Sequence, residues 1–294
     1  GGRAVQPSVV LGVLFVLLIA RRLRDRGLGQ VSLNLHAELL EEHLLEGLVD
    51  EGAEEANDQT VEDGTLPAAE EQRNDVVAMA QSATAVIADS EFIAESSREY
   101  NKRTLWVSDN VPMDLLPEYR PTRSCKRLRL LWSGESVKLF ELLAAEKALI
   151  AIKDKVELVL VTNDLSALDR LTPDIRKRLD YLLSVLNVRV IRFNSIQHLF
   201  EVYSEGGVFI SPRFLDSSYN MGHTGWKITL AMACGRVALC SPVPSYVKVA
   251  DRAGGQGIRI LNDQDAWGEA LEEVLGDNFD WEKEELAAHS VVDR

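Results

Sequence analysis

Residue types able to hold an anion gather in one stretch of the 294-residue chain, from Arg213 to Lys227. Val208-Phe209-Ile210, entered from Gly206-Gly207, is a short apolar run and reads as a buried strand. Ser211-Pro212 ends it, because proline has no N–H to give a ladder. A polar loop through Asp216 and Asn220 leads to Gly222-His223-Thr224, where a helix is expected to start with Thr224 as its N-cap. Ile228, Ala231 and Met232 supply the apolar face of that helix, and Gly235 stops it. Val237 to Leu239 is a second buried strand, followed by Ser241-Pro242-Val243-Pro244-Ser245-Tyr246. In open parallel sheets, ligands sit outside the carboxyl ends of strands, against helix N-termini whose free N–H groups and dipole favour an anion. Lys227 opposes the dipole in the first turn, and a nearby anion would account for it. Alone it reads as a solvated surface lysine; the convergence of Arg213, Gly222, His223, Thr224 and Lys227 on one strand-to-helix loop points to a binding site.

The elements that must position these residues follow from the alternation of short apolar runs with helical patterns. Before the linker, strands are expected near Val9–Leu11, Val31–His36, Thr84–Ala88 and Leu105–Val107, with helices over residues 37–48 and 70–83 and from Glu91. Residues 50–67 are acidic, lack apolar period and read as a loop. Residues 114–126 carry two prolines and read as a linker. The alternation then restarts with strands at Arg129–Trp132, Val156–Val161 and Val188–Phe193, and helices over 138–153, 173–186 and 196–204. A strand at Gly257–Leu261 and helices over 265–275 and from Phe279 finish the chain, with Gly254-Gly255-Gln256-Gly257 as a turn. This is an α/β pattern with parallel sheets. Two such runs imply two domains facing a cleft, a common ligand site.

The formal charge of −14 and pI of 4.9 exclude a general nucleic-acid binder. Three scattered cysteines, Cys125, Cys234 and Cys240, make neither a disulfide framework nor a zinc site, and a reducing cytoplasm fits them. No His, Cys and carboxylate cluster has metal-ligand spacing, and no P-loop or Gly-x-Gly-x-x-Gly is present. The apolar run Val9–Ala20 is shorter than a membrane span and is followed, not preceded, by Arg21-Arg22-Leu23-Arg24. It reads as a strand passing into a helix, with a peripheral membrane contact through the Arg-rich end left open.

The tract SPRFLDSSYNMGHTGWKITLAMACGRVALCSPVPSY, ending its helix in Ala231-Met232-Ala233-Cys234-Gly235, resembles the donor-sugar segment of GT-B glycosyltransferases of the family-4 and group-1 type. Ala88-Asp89-Ser90-Glu91-Phe92 and Asp109-Asn110-Val111-Pro112 look like that family's strand end and interdomain stretch. Leu131-Trp132-Ser133-Gly134 followed by Lys138 is similar to its glycine loop and basic residue, and Phe279-Asp280-Trp281 to the start of its final helix. The resemblance covers residues 80–290 well and 1–80 poorly. It implies an amino-terminal Rossmann-like domain over 1–117, incomplete as if the chain starts midway through it, a donor domain over 118–278, and a final helix over 279–294 crossing back. Two departures stand out: Leu230 occupies the position where retaining members carry a glutamate, and Glu135 follows Gly134 where an arginine is usual.

The resemblance implies a sugar transferred from a nucleotide-sugar donor to a glycan or lipid-linked acceptor, without a cofactor. Lacking a metal, the charge of the departing diphosphate falls to Lys or Arg side chains and a helix dipole. Lys227 and Arg213 are the candidates for that work, with Lys138, Gly134, Gly222, His223, Thr224 and Asp216 around the donor. Lys138 reads equally as a surface helix residue, and His223 as a loop histidine bonding backbone. His36 ends a first-domain strand and is the candidate on the acceptor side, with helix capping as its alternative. Asn163 and Asp164 are placed to reach the nucleobase or to form a turn, and Ser245 and Tyr246 to close on the diphosphate or ribose, with a packing tyrosine as the alternative. Competing readings are a non-catalytic nucleotide-sugar-binding relative, favoured by Leu230, and an α/β interaction scaffold.

Overall fold

The structure, a computed structural model, describes residues 65–122, 126–216 and 218–293. The expected elements of residues 9–48, His36 among them, and Cys125 lie outside the described residues. The chain divides into two compact units, Gly1–Ser108 with Asp216–His223, and Asp109–Leu215 with Thr224–Arg294.

In the first unit, helix α1 (Thr65–Ser82) starts earlier than its apolar period suggests. Pro67 lies in its first turn, where a missing N–H leaves no intrahelical bond unmade. Strands β1 (Val86–Ala88) and β2 (Thr104–Trp106) pair in parallel, Val86 opposite Thr104. Between them runs α2 (Glu91–Ser97), its N-cap Ser90 accepting from Ile93 N at 3.2 Å. Ala80, Val86, Ala88, Ile93 and Ala94 form the small core.

The second unit is built on a six-stranded parallel sheet, and its strands fall where the apolar runs predict. They are β3 (Leu128–Ser133), β4 (Val156–Thr162), β5 (Val188–Arg192), β6 (Val208–Ser211), β7 (Val237–Cys240) and β8 (Ile258–Ile260). Their spatial order is β5-β4-β3-β6-β7-β8. The central strands β6 and β7 are buried at every residue, the mark of a sheet covered on both faces. The helices are α3 (Glu146–Ala151), α4 (Pro173–Val185), α5 (Ile196–Ser204), α6 (Trp226–Ala233), α7 (Pro244–Ala253), α8 (Gln264–Leu275) and α9 (Trp281–His289). Helix α9, expected to return toward the first domain, belongs to this second unit and docks on α6. One core joins Leu131, Val159 and Phe209 of the sheet to Leu199 and Phe200 of α5, Ile228 and Met232 of α6, and Ala288 of α9.

The single helix expected over 138–153 is instead a 3₁₀ segment, Ser136–Ala145, followed by α3. Gln264 explains the break. Its side-chain nitrogen donates to the Leu143 and Ala144 carbonyls at 3.2 and 2.6 Å, while its oxygen accepts from Lys147 N at 3.1 Å. A side chain inserted into the backbone ladder replaces the bonds that would have continued the helix.

Candidate functional site

The strand order sets where a ligand belongs. From β3 the chain steps outward through β4 to β5, then returns to the other side of β3 and proceeds through β6, β7 and β8. The order reverses between β3 and β6, and such switch points open a crevice beyond the carboxyl strand ends. Gly134 directly follows β3, and Arg213 lies two residues beyond β6. The loop that follows leads on to α6.

Helix α6 begins one turn-residue later than expected. Gly225, not Thr224, is the N-cap, and Thr224 Oγ1 accepts from Trp226 N at 3.4 Å from just outside the helix. The reason is steric. A Cβ on Gly225 would lie 2.9 Å from Val249 Cγ2, so α6 and α7 approach at a residue without a side chain. The Trp226 indole donates to Asn110 O at 3.2 Å and ties this end to the stretch after β2. Lys227 follows in the first turn, and its ammonium reaches across to the β3 loop, 3.4 Å from where a Cβ of Gly134 would stand. Gly134 and Lys227 are thereby brought together, and the Ser245 carbonyl lies 3.6 Å from the Cβ position of Gly225.

Arg213 and Lys138 are both buried, 7% and 9% exposed, so the surface alternative for Lys138 does not hold. Glu141, which sequence reasoning missed, explains part of this. It stands 3.8 Å from the Arg213 guanidinium and accepts from Phe214 N at 2.8 Å, while Ser241 Oγ accepts from Arg213 N at 2.8 Å. Lys138 and Glu141 are three apart on a 3₁₀ helix, where such residues eclipse each other on one face. A lone carboxylate in the apolar run VKLFELLAA was the available signal.

The other candidates are engaged locally. Asn163 Oδ1 accepts from Ser136 N at 2.7 Å and so fastens the Gly134 loop to the end of β4. Asp164 accepts from Ser166 N at 2.6 Å, and this backbone bond holds its carboxyl below the usual carboxylate range. Both are therefore turn and cap formers. Tyr246 is a packing tyrosine, buried in the main core, with Ser211 Oγ donating to its hydroxyl at 3.2 Å. Asp216, exposed, and Gly222 and His223 belong to the first unit. There His223 packs edge-on against Tyr219, ring centroids 4.9 Å apart. The Cys234 and Cys240 thiols are driven up by burial, Cys234 to about 12, which makes them inert packing groups. Among the described residues, no cluster of His, Cys, Asp and Glu is arranged to hold a metal ion. No helix among them is long and apolar enough to cross a membrane.

No protein-family model matches the sequence, and no curated protein matches it. Solved structures do match. The chain is similar to Anabaena HepE in complex with UDP and glucose, with a TM-score of 0.56 at 13% identity, over 75% of this chain and 60% of that one. It is similar to WaaG, a glycosyltransferase involved in lipopolysaccharide biosynthesis, with a TM-score of 0.58 at 13% identity, over 79% and 66% of the two chains. A glycosyltransferase from Rickettsia africae gives a TM-score of 0.57 at 13% identity, over 100% of this chain and 78% of that one. The chain thus spans about three-fifths of the length of HepE and two-thirds of that of WaaG. Likeness at this identity speaks to fold, and the fold is the GT-B-like α/β one that the motifs implied.

Proposed function

We propose that this chain is a glycosyltransferase that moves a sugar from a nucleotide-sugar to a glycan or lipid-linked acceptor. One observation carries the reading: the Lys227 ammonium stands against the Gly134 loop, beside the switch point between β3 and β6 and at the amino end of α6. There the dipole of an eight-residue helix and a full positive charge act on the same spot. When the glycosidic bond breaks, negative charge develops on the diphosphate, and donors already in place stabilise it without reorganising. Arg213 contributes from the β6 loop, oriented by Glu141. The solved relatives include one complex with UDP-glucose and one with ADP and acarbose, which supports a nucleoside-diphosphate donor. We further propose that the cationic side chains take the place of a metal, and that the protein works at the cytoplasmic side, where an acceptor on a membrane surface is within reach.

Hydrolysis and transfer assays across a panel of UDP-, GDP- and ADP-sugars test this, with Lys227→Ala as control. One donor should turn over, and Lys227→Ala should lower that turnover about a hundredfold, the scale of losing one preorganised donor to a developing anion. Turnover that survives Lys227→Ala unchanged would refute the assignment.

Leu230 favours a second reading. Where retaining relatives are expected to carry a glutamate, this chain has a leucine fully buried in the core. A nucleotide-sugar-binding protein without transfer activity fits that substitution. It predicts a donor that raises the melting temperature, through mass action on the folded state, while no donor is consumed.

A further inference from the structure

Trp226 opens α6 and is bonded on two sides. Its backbone N–H donates to Thr224 Oγ1 at 3.4 Å, and its indole donates to Asn110 O at 3.2 Å. Thr224 and Asn110 lie at the limits of the second unit: the chain enters it at Asp109, leaves after Leu215 and re-enters at Thr224. Two of these three passages therefore end on one residue. The third is pinned separately, Arg213 N donating to Ser241 Oγ and Phe214 N to Glu141 Oε2, both at 2.8 Å.

The entry at Asp109 continues as a strap that reaches Thr122. Val111 and Leu116 pack against the main core, and the 3₁₀ turn Met113–Leu115 lies against α5. The strap starts at the amino end of α6 and finishes just past its carboxyl end. There Arg236 holds Arg120 O and Thr122 Oγ1, Glu285 accepts from Thr122 N, and Thr122 Oγ1 accepts from Gly207 N at 3.0 Å. The two ends are held with unequal strength. Charged hydrogen bonds fix the far end, each about twice as strong as a neutral one. Among the described residues, a neutral bond from a partly exposed indole holds the near end, and Val107 to Asn110 are all exposed. A strap mounted in this way opens first at Trp226.

We propose that Trp226 is a latch: it closes the strap onto the first turn of α6, so that a ligand ordering that turn holds the strap shut. The identity of the ligand, a nucleoside diphosphate, rests on the glycosyltransferase reading; the latch itself does not. A ligand that binds the ordered turn better than the loosened one must, by linkage, favour the closed strap to the same degree.

Limited cleavage by chymotrypsin, with the cut sites located by mass spectrometry, tests this, while calorimetry reads UDP binding separately. The protease can cut the strap after Met113 or Leu115, and Tyr181 of α4, 56% exposed, is a control outside it. Trp226→Phe keeps an aromatic ring and loses the donor. It should speed cleavage of the strap about fivefold, the size of one neutral hydrogen bond, and leave cleavage at Tyr181 unchanged. Saturating UDP should slow strap cleavage several-fold in the wild type and leave Trp226→Phe unprotected. Equal strap cleavage in the two proteins, or a rise matched at Tyr181, would overturn the latch. So would bound UDP that leaves the wild-type strap unprotected, and this comparison decides alone if Trp226→Phe does not fold. A wild-type chain that binds no UDP, with the strap still cut faster in Trp226→Phe, would overturn the glycosyltransferase reading and the identity of the ligand while leaving the latch in place.

Discussion

Helix α6 meets solvent at one end and a closed network at the other. From Thr224 to Lys227 every residue is partly exposed, whereas from Ala231 to Ser241 every residue is buried. At the amino end a cation lies beside a glycine loop. At the carboxyl end Gly235 (φ +76°) makes the left-handed turn, with Gly235 N donating to Met232 O at 2.7 Å and Arg236 N to Ala231 O at 3.0 Å. Arg236, with no solvent exposure, then pairs with the equally buried Glu285 of α9 at 3.1 Å. Both groups make several further hydrogen bonds. The guanidinium donates to Cys234 O at 3.0 Å, Thr122 Oγ1 at 2.7 Å and Arg120 O at 2.5 Å, while Glu285 accepts from Thr122 N and from the Tyr119 hydroxyl at 3.0 Å. Charge at this end is spent on fastening the segment 119–122 and α9 to the sheet. At the amino end the charged side chain, Lys227, is only partly buried and lies beside the Gly134 loop.

Removing Glu285 is the severest way to break that contrast. Glu285→Ala would leave the Arg236 guanidinium buried without its counter-charge, and unfolding in urea should show a loss of about 3–5 kcal/mol. Lys227→Ala should shift the same curve by no more than about 0.5 kcal/mol, as expected of a partly exposed residue outside the packed core. Equal losses from the two variants would mean that Lys227 is structural and the two ends do not differ in kind.

Gly235→Ala is the next largest change. It puts a side chain at a φ that only glycine adopts freely, with its Cβ 2.5 Å from Tyr119 Cε2. The expected cost is about 1–3 kcal/mol in the same unfolding experiment, with UDP affinity of the folded fraction unchanged. A fall in UDP affinity would show that the carboxyl end of α6 is coupled to the ligand end.

The amino end was largely legible in the sequence, and the carboxyl end was not. Short apolar runs placed all six strands of the large sheet to within a residue or two; β6 and β7, buried at every residue, have to be apolar almost throughout, while β5 and β8 at the sheet edges carry arginines between their apolar residues. The glycines and Lys227 could be read from their neighbours along the chain. Arg236 and Glu285 are 49 positions apart, and each in isolation looks like a surface charge. Gln264 is equally unremarkable until it is found capping two carbonyls of a segment 120 residues earlier. Glu141 was hidden for the same reason, since its partner Arg213 reaches it only through the adjacency of β3 and β6. Local pattern carries the elements and the turn chemistry; pairings between distant polar side chains depend on the packing that the elements create.

The smallest expected effect probes the network through Tyr119. Burial, and then the nearby Glu285 carboxylate that accepts its hydrogen bond, push the tyrosine hydroxyl from 10.0 up to about 12. Between those two pH values the unfolded chain has already lost the phenolic proton while the folded chain still holds it. The folded state therefore binds more protons, and stability must fall as the pH rises from 10 toward 12. The buried Cys234 thiol, raised from 9.0 to about 12, adds a slope of the same sign that starts about one pH unit lower. Tyr119→Phe removes the first contribution and keeps the second. Its stability should be lower than wild type at neutral pH, by the hydrogen bond lost to Glu285, and should decline less steeply above pH 10. Parallel curves for the two proteins across that range would mean that the Tyr119 hydroxyl is not held against Glu285, and that the network at this end closes around Thr122 and Arg236 alone.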